Sequence, residues 1–392
     1  MANTPQTQAE NVWNNHTWSE DFYYTPLRGV HFLQSPLHTK QPKAPLGYTF
    51  DPNTCWMHLV CVDGEIHPVL SHIPEGVAVT TTQQPFEKEE LASHPLRAAN
   101  IMQRPVFWKI TVPPRTHSVL PVVVEHVSSS SKPVGMYPHL IWEIGSESSL
   151  TVVEWHPALH EGSTFNQVGQ WLLQPHAHVT HVTHTVSNNP SHFFKNTFVE
   201  VQKAGSYTHV ALSEGHNTCR HDVRVFLQQQ DACAHLYGAS LSHTRQHQDI
   251  HWVVNHNASH TQSTQHLKQV SAHHASSSFT GNIHVAPHAQ KIQAHQQSKA
   301  LLLHPQASAC TRPQLEISAN DVQCSHGASI GSLDANALFY LKSRGLSHEE
   351  ASHMLVEAFV RDVFSVLPEQ GVRERLEQHT TAWMDTHKVA SP

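Results

Sequence analysis

Between about Cys55 and Ser329 the apolar residues fall in short alternating runs instead of at helical spacing. Trp108–Val112, Leu150–Glu154, Thr197–Val201 and Asp222–Leu227 each place apolar or β-branched residues at every second position, the pattern of a half-buried strand. Turn residues separate many of these runs, so the pattern predicts an all-β core over residues 55–332 with a helical insert at 87–101. Residues 1–54, rich in Trp, Tyr, Pro and Asn, are predicted as a helical and irregular region. Residues 333–392 change period again. Asp334 is placed to cap a helix through Phe339 and Tyr340 that ends at Gly345, and Ser347-His348-Glu349-Glu350 has the spacing of a capping box. Ala351, Met354, Leu355, Ala358, Phe359, Val363 and Val366 then form an apolar stripe, Pro368 stops it, and Gln370–Met384 reads as a further helix.

Many short strands suit a sandwich, a barrel or a stacked solenoid. Composition narrows the choice. Only 16 of 392 residues are Gly, too few for many tight two-residue hairpins, and small-residue stretches such as Ala232–Leu241 and Gly281–Ala286 suit rungs stacked about 4.8 Å apart. A β-helix fits best.

Charged residues make up only 14% of the chain, and 38 His fill much of the polar share. They run from His16 to His387, so they form no single tag or tract. The formal charge of −7 counts them as neutral. Titration near an ordinary pKa of about 6.5 brings the net charge close to zero at pH 7 and predicts a climb of roughly twenty or more units between pH 7.5 and 5.5. Charge therefore points to no nucleic acid. No run of 18 apolar residues occurs, and Met1–Pro5 lacks the features of a signal peptide, which predicts a cytoplasmic protein.

The six Cys form no Cys-x-x-Cys pair, against a zinc ribbon or a thioredoxin-type site. No Gly-Lys dipeptide occurs, so the chain has no P-loop. His348 and His353 are five residues apart, which puts them on different helix faces and argues against a shared zinc ion. Cys219 with His221, Cys233 with His235, and Cys324 with His326 share strand faces at i, i+2, a spacing that suits metal ligands as well as ordinary core filling.

Ala289–Leu303, Pro313–Ile317, Asp321–Ala328 and Leu338–Gly345 resemble, in order and spacing, the AQKT…LLL, PQLEI, DDVKCSHGA and LFYLRSRG blocks of the SufB/SufD family. Arg220-His221-Asp222, His247-Gln248-Asp249, His256, Ser263-Thr264-Gln265 and Phe279-Thr280-Gly281 are similar to weaker family positions. Tyr23–Leu27 looks like an N-terminal WKYTPL box. Departures include Lys291-Ile292 for Lys-Thr and Gln296–Ala300 for Gln-Thr-Asn-Lys-Asn. The Cys-Ser-His-Gly block at Cys324–Gly327 and the short N-terminal region side with the SufD branch.

The resemblance implies a right-handed parallel β-helix between helical ends, in a non-catalytic scaffold subunit of the SUF iron–sulfur cluster assembly machinery. It implies pairing with SufB through the β-helix, or with itself in isolation, and docking of the SufC ATPase on the C-terminal helices. The residues so implicated are Phe339, Tyr340, Arg344, Leu355 and Phe359 for SufC. His326 and Cys324 are the expected metal ligands for a transient cluster at the SufB interface. A reduced flavin is expected in the assembled complex, at residues the sequence does not identify. The alternatives are a SufB-like paralogue or a His-rich metal-binding β-helix protein. A polysaccharide-cleaving β-helix is disfavoured by the few acids in the strand region.

Overall fold

The structure is a computed structural model that describes residues 25, 53–83, 94–156, 158–187 and 189–387. The N-terminal region, apart from Thr25 and residues 53–54, and the part of the insert at 87–93 lie outside the described residues.

Strands come first, in an irregular opening: β1 (Met57–Val62), β2 (Glu65–Ile66), β3 (Ala78–Thr82), β4 (Phe107–Val112), β5 (Val122–Val127), β6 (Gly135–Met136), β7 (His139–Ile144) and β8 (Ser149–Trp155). A regular series follows: β9 (Thr164–Leu173), β10 (His178–Ser187), β11 (His192–Val201), β12 (Ser206–Gly215), β13 (Thr218–Leu227) and β14 (Cys233–Ser242). It continues through β15 (His247–His256), β16 (Gln262–Ser271), β17 (Ser276–Val285), β18 (Ile292–Leu302), β19 (Ser308–Ile317) and β20 (Val322–Gly331). From β7 onward the strands alternate between two parallel sheets, giving a mainly β solenoid of about 8 turns. His192 pairs with Thr218 and Ser276 with Ser308, so the turn length varies between 26 and 32 residues in these examples. That drift hides the repeat from simple inspection of the sequence.

In-register stacking places like on like. Trp142 lies on Trp171 with ring centroids 4.9 Å apart, and Phe165 on Phe193 at 5.1 Å, so each turn covers the apolar faces of its neighbours. The shortage of glycine has a local solution at the corners. Arg115, Glu147, His176, Ala204, Asp231, His260 and Lys291, one per turn, all have φ between 50° and 63°. A non-glycine residue in the left-handed region is strained by about 1–2 kcal/mol, and here stacked turns hold it.

Helix α1 (Pro95–Gln103) lies against β9 and β11 and is capped by the His94 ring. After the strands come α2 (Ala335–Ser343), α3 (His348–Arg361), a 3-10 turn (Asp362–Val366) and α4 (Gln370–Thr386). Asp334 caps α2, and the Ser347–Glu350 capping box forms at α3 as its spacing predicts. The buried face of α3 is rotated from the expected stripe. Ala351, Ser352, Val356 and Val360 are buried, while Met354 and Val366 of the stripe are exposed at 48% and 37%. Val356, Val360, Val363, Phe364, Leu376 and Trp383 pack on Val182, Val210, Leu212, Leu241 and Val270 of the solenoid. No helix among the described residues is long and apolar enough to cross a membrane.

Candidate functional site

Among the described residues, nothing covers the last turn of the solenoid. β9 and β11 are buried along most of their length, whereas neither β19 nor β20 contains a buried residue. Each is the final strand of its sheet, so one side of each keeps its backbone donors and acceptors unpaired by strand neighbours among the described residues. Cys324 and His326 sit on β20, in register with Ala294 and Gln296 of β18. Those two are buried, and Gln296 Nε2 donates to Gln265 Oε1 one turn deeper at 2.6 Å. Cys324 and His326 therefore extend inward-facing rows onto the open rung. Cys324 is half-buried and His326 exposed, and partial burial pushes the Cys324 thiol up from its ordinary value. Neither belongs to a group of three or more potential ligands among the described residues.

The five residues expected to dock SufC differ in exposure. Phe339 and Tyr340 are 74% and 56% exposed on α2, a helix that buries no residue of its own. Arg344 is exposed and donates from Nη2 to the Tyr340 hydroxyl at 3.2 Å. Leu355 is half-buried. Phe359 packs at the margin of the helix–solenoid core with Lys268 Nζ 4.9 Å from its ring centre, so it serves the fold more than the surface.

Two buried polar networks escaped the sequence reading of individual residues. Inside the solenoid Glu154 and Lys195 form an ion pair, with Gln167, His126, His156, His181, His209 and His221 around them. Burial alone would raise the Glu154 carboxyl, but the Lys195 ammonium and the imidazoles of His181 and His156 hold it well below the usual range. Their signal lies in strand parity. Glu154 shares its face with Leu150 and Val152, and Lys195 with Phe193 and Val199, all of them core residues.

The second network lies on the outer face of one sheet. Arg220 donates to Asp222 at 2.9 Å and to Asp249 at 2.7 Å, and Asp222 also meets His94 and His251, each at 3.1 Å. The Thr25 hydroxyl donates to Asp249 and accepts from Arg220 at 2.7 Å. Thr25, from the Tyr23–Leu27 resemblance, thus meets Arg220, Asp222 and Asp249 of the other two in one buried cluster, which ties Thr25 to the sheet.

Cys219 and His221 are both buried, and burial pushes the Cys219 thiol up, away from a ligating thiolate. A cavity of about 630 Å³ lies beside Trp155, Val372, Glu125 and Glu369. The Arg375 guanidinium already covers the Trp155 ring at 3.9 Å, and the two carboxylates oppose an anionic phosphate, so this cavity does not fit a flavin.

The family model described as SUF system FeS cluster assembly, SufBD core domain, matches residues 126–359. An iron-sulfur cluster assembly SufBD family protein of Synechocystis is 26% identical over 354 residues, 83% of this chain and 78% of its own. Iron-sulfur cluster assembly protein SufD of Escherichia coli is 26% identical over 371 residues, 91% and 86% of the two chains. The chloroplastic protein ABCI7 of Arabidopsis thaliana is 31% identical over 215 residues, 55% of this chain and 45% of its own. The matched span runs from the interior His126 through the open rung to Phe359 of α3, and on that ground this chain belongs to the SufBD family of the SUF iron–sulfur cluster assembly system.

Proposed function

We propose that this chain is the SufD-type, non-catalytic scaffold of a cytoplasmic SUF complex, and that it pairs with SufB end to end through the open rung formed by β19 and β20. The observation that carries the reading is the inward register of Cys324 and His326 on the last turn, which no further strand covers among the described residues. Two residues are too few to hold a cluster, so the partner supplies the remainder. Such a divided site suits a cargo that must leave: imidazole is a weaker ligand than thiolate for iron–sulfur centres, and separation of the subunits would remove part of the coordination. SufC docks on the outer face of α2 and α3, where Phe339, Tyr340, Arg344 and Met354 are exposed. A flavin, where the assembled complex carries one, is assigned no residue of this chain.

The test is His326→Ala in the complex with SufB and SufC. Assembly and ATPase binding should persist while iron and sulfide on the complex fall to less than half. His353→Ala, remote on α3, should change neither. Normal iron content in the His326→Ala complex rejects the ligand role, and failure to assemble assigns His326 to the interface alone.

A further inference from the structure

A second ligand set lies far from the open rung, between the solenoid and its helical cover. His184 of β10 and Glu214 of β12 project from adjacent strands, and His379 of α4 closes over them. His184 Nε2 is 3.1 Å from Glu214 Oε1, and His379 Nδ1 is 3.6 Å from the same oxygen. One ligand atom from each residue lies within 4.8 Å of the others. For metal–ligand bonds of about 2.0–2.1 Å, the edge of a tetrahedral site is about 3.3 Å. The two edges to Glu214 Oε1 bracket that value.

The donors are two imidazoles and one carboxylate, a set that suits first-row divalent ions preferring nitrogen and oxygen and leaves a fourth position for water. The side chains of His184 and Glu214 are 3% and 6% exposed and that of His379 is 35% exposed, so two ligands are fixed in the wall and the third stands at the mouth. The other three-residue group, His126, Glu154 and His156, has similar chemistry but a different environment. There the Lys195 ammonium already sits on Glu154 Oε2, the oxygen an ion would need. No Lys or Arg among the described residues pairs with Glu214 in this way. Arg375, the nearby cation, is engaged on Trp155 at 3.9 Å.

We propose that His184, Glu214 and His379 bind one divalent transition-metal ion, of the Zn²⁺ or Fe²⁺ type, that pins α4 to the solenoid. The clamp spans two strands and the last helix, so it fixes the helical cover at its far end from α2. Its ligands come from three separate parts of the sequence and form no motif.

The test uses the full chain, stripped with a chelator and titrated with Co²⁺. One tight equivalent with the visible bands of a four-coordinate N/O site is expected. His379→Ala, at a half-exposed position that should not disturb folding, and the isosteric Glu214→Gln should each weaken that equivalent at least about a hundredfold. His273→Ala with His304→Ala, which alters other surface imidazoles, should leave it intact. Displacement by Zn²⁺ or by anaerobic Fe²⁺ at stoichiometric concentration identifies the ion, and displacement by neither rejects the site. Weak binding of many equivalents, unchanged in His379→Ala, would likewise overturn the proposal and assign the metal to the His-rich surface at large.

Discussion

Lys195 of β11 places its ammonium on the Glu154 carboxylate of β8 inside the solenoid, and both side chains are only 2% exposed. A buried ion pair of this kind is sensitive to removal of one partner, because the other charge is left without compensation. Lys195→Met should cost about 3–5 kcal/mol in chemical denaturation. Lys195→Met combined with Glu154→Leu should recover a substantial part of that loss. Equal stability of the single and double variants would show that the loss does not come from the Glu154 charge left unpaired.

Acid should destabilise the protein at unusually mild pH. Burial holds His94, His126 and His256 down at about 4, and His139, His216 and His221 at about 3. Each of these groups prefers to be neutral in the folded state, so the unfolded chain binds more protons below its ordinary pKa of about 6.5. The stability they contribute is complete above that pH and is lost as pH falls toward 4, at up to about 1.4 kcal/mol per pH unit for each such group. Melting temperature should drop steeply between pH 6.5 and 5. A flat profile over that range would mean that these imidazoles reach solvent.

Phe339→Glu with Tyr340→Glu should leave the melting transition nearly unchanged, within about 0.5 kcal/mol, because α2 buries neither residue. Co-purification with the SufC ATPase should be lost. Full retention of SufC would move the docking surface elsewhere. Deleting all residues from Leu333 onward is a less clean experiment, since it also uncovers Val182, Val210, Leu212, Leu241 and Val270 on the solenoid.

Thr25→Val removes a hydroxyl that both donates to Asp249 and accepts from Arg220 in a buried site. A loss of about 1–3 kcal/mol is expected. Limited proteolysis should then cut the N-terminal segment faster while the solenoid stays protected. Unaltered cleavage would show that Thr25 does not fasten that segment.

Strand class, the β-helix and the helical ending were legible because alternation, scarce glycine and capping residues all point the same way. The face of α3 was not. Ser352 occupies the buried position beside Ala351 and donates to the His348 carbonyl at 2.7 Å, so a polar residue lies where an apolar stripe would be sought. Histidine was misleading for a related reason. Twelve of the described His, from His58 to His256, are buried, and uniform titration therefore overstates the charge gained on acidification. Their inward parity, as in His126 after Val122 and Val124, is visible in the sequence once strand registers are fixed. The clamp at His184, Glu214 and His379 depends on how α4 folds back, which no spacing encodes.

The two ends of the solenoid are unlike each other. At one end the sheet edges are β2 and β3, short strands that each run antiparallel to the strand they border. At the other, β19 and β20 end parallel stacks with no further strand laid over them among the described residues. Head-to-tail stacking would require the open end to meet the turned-back one, so growth into a filament is blocked. The proposed contact between this open end and the open end of a related partner would consume both in a single step. Under the proposed pairing, assembly would be self-limiting at two solenoids.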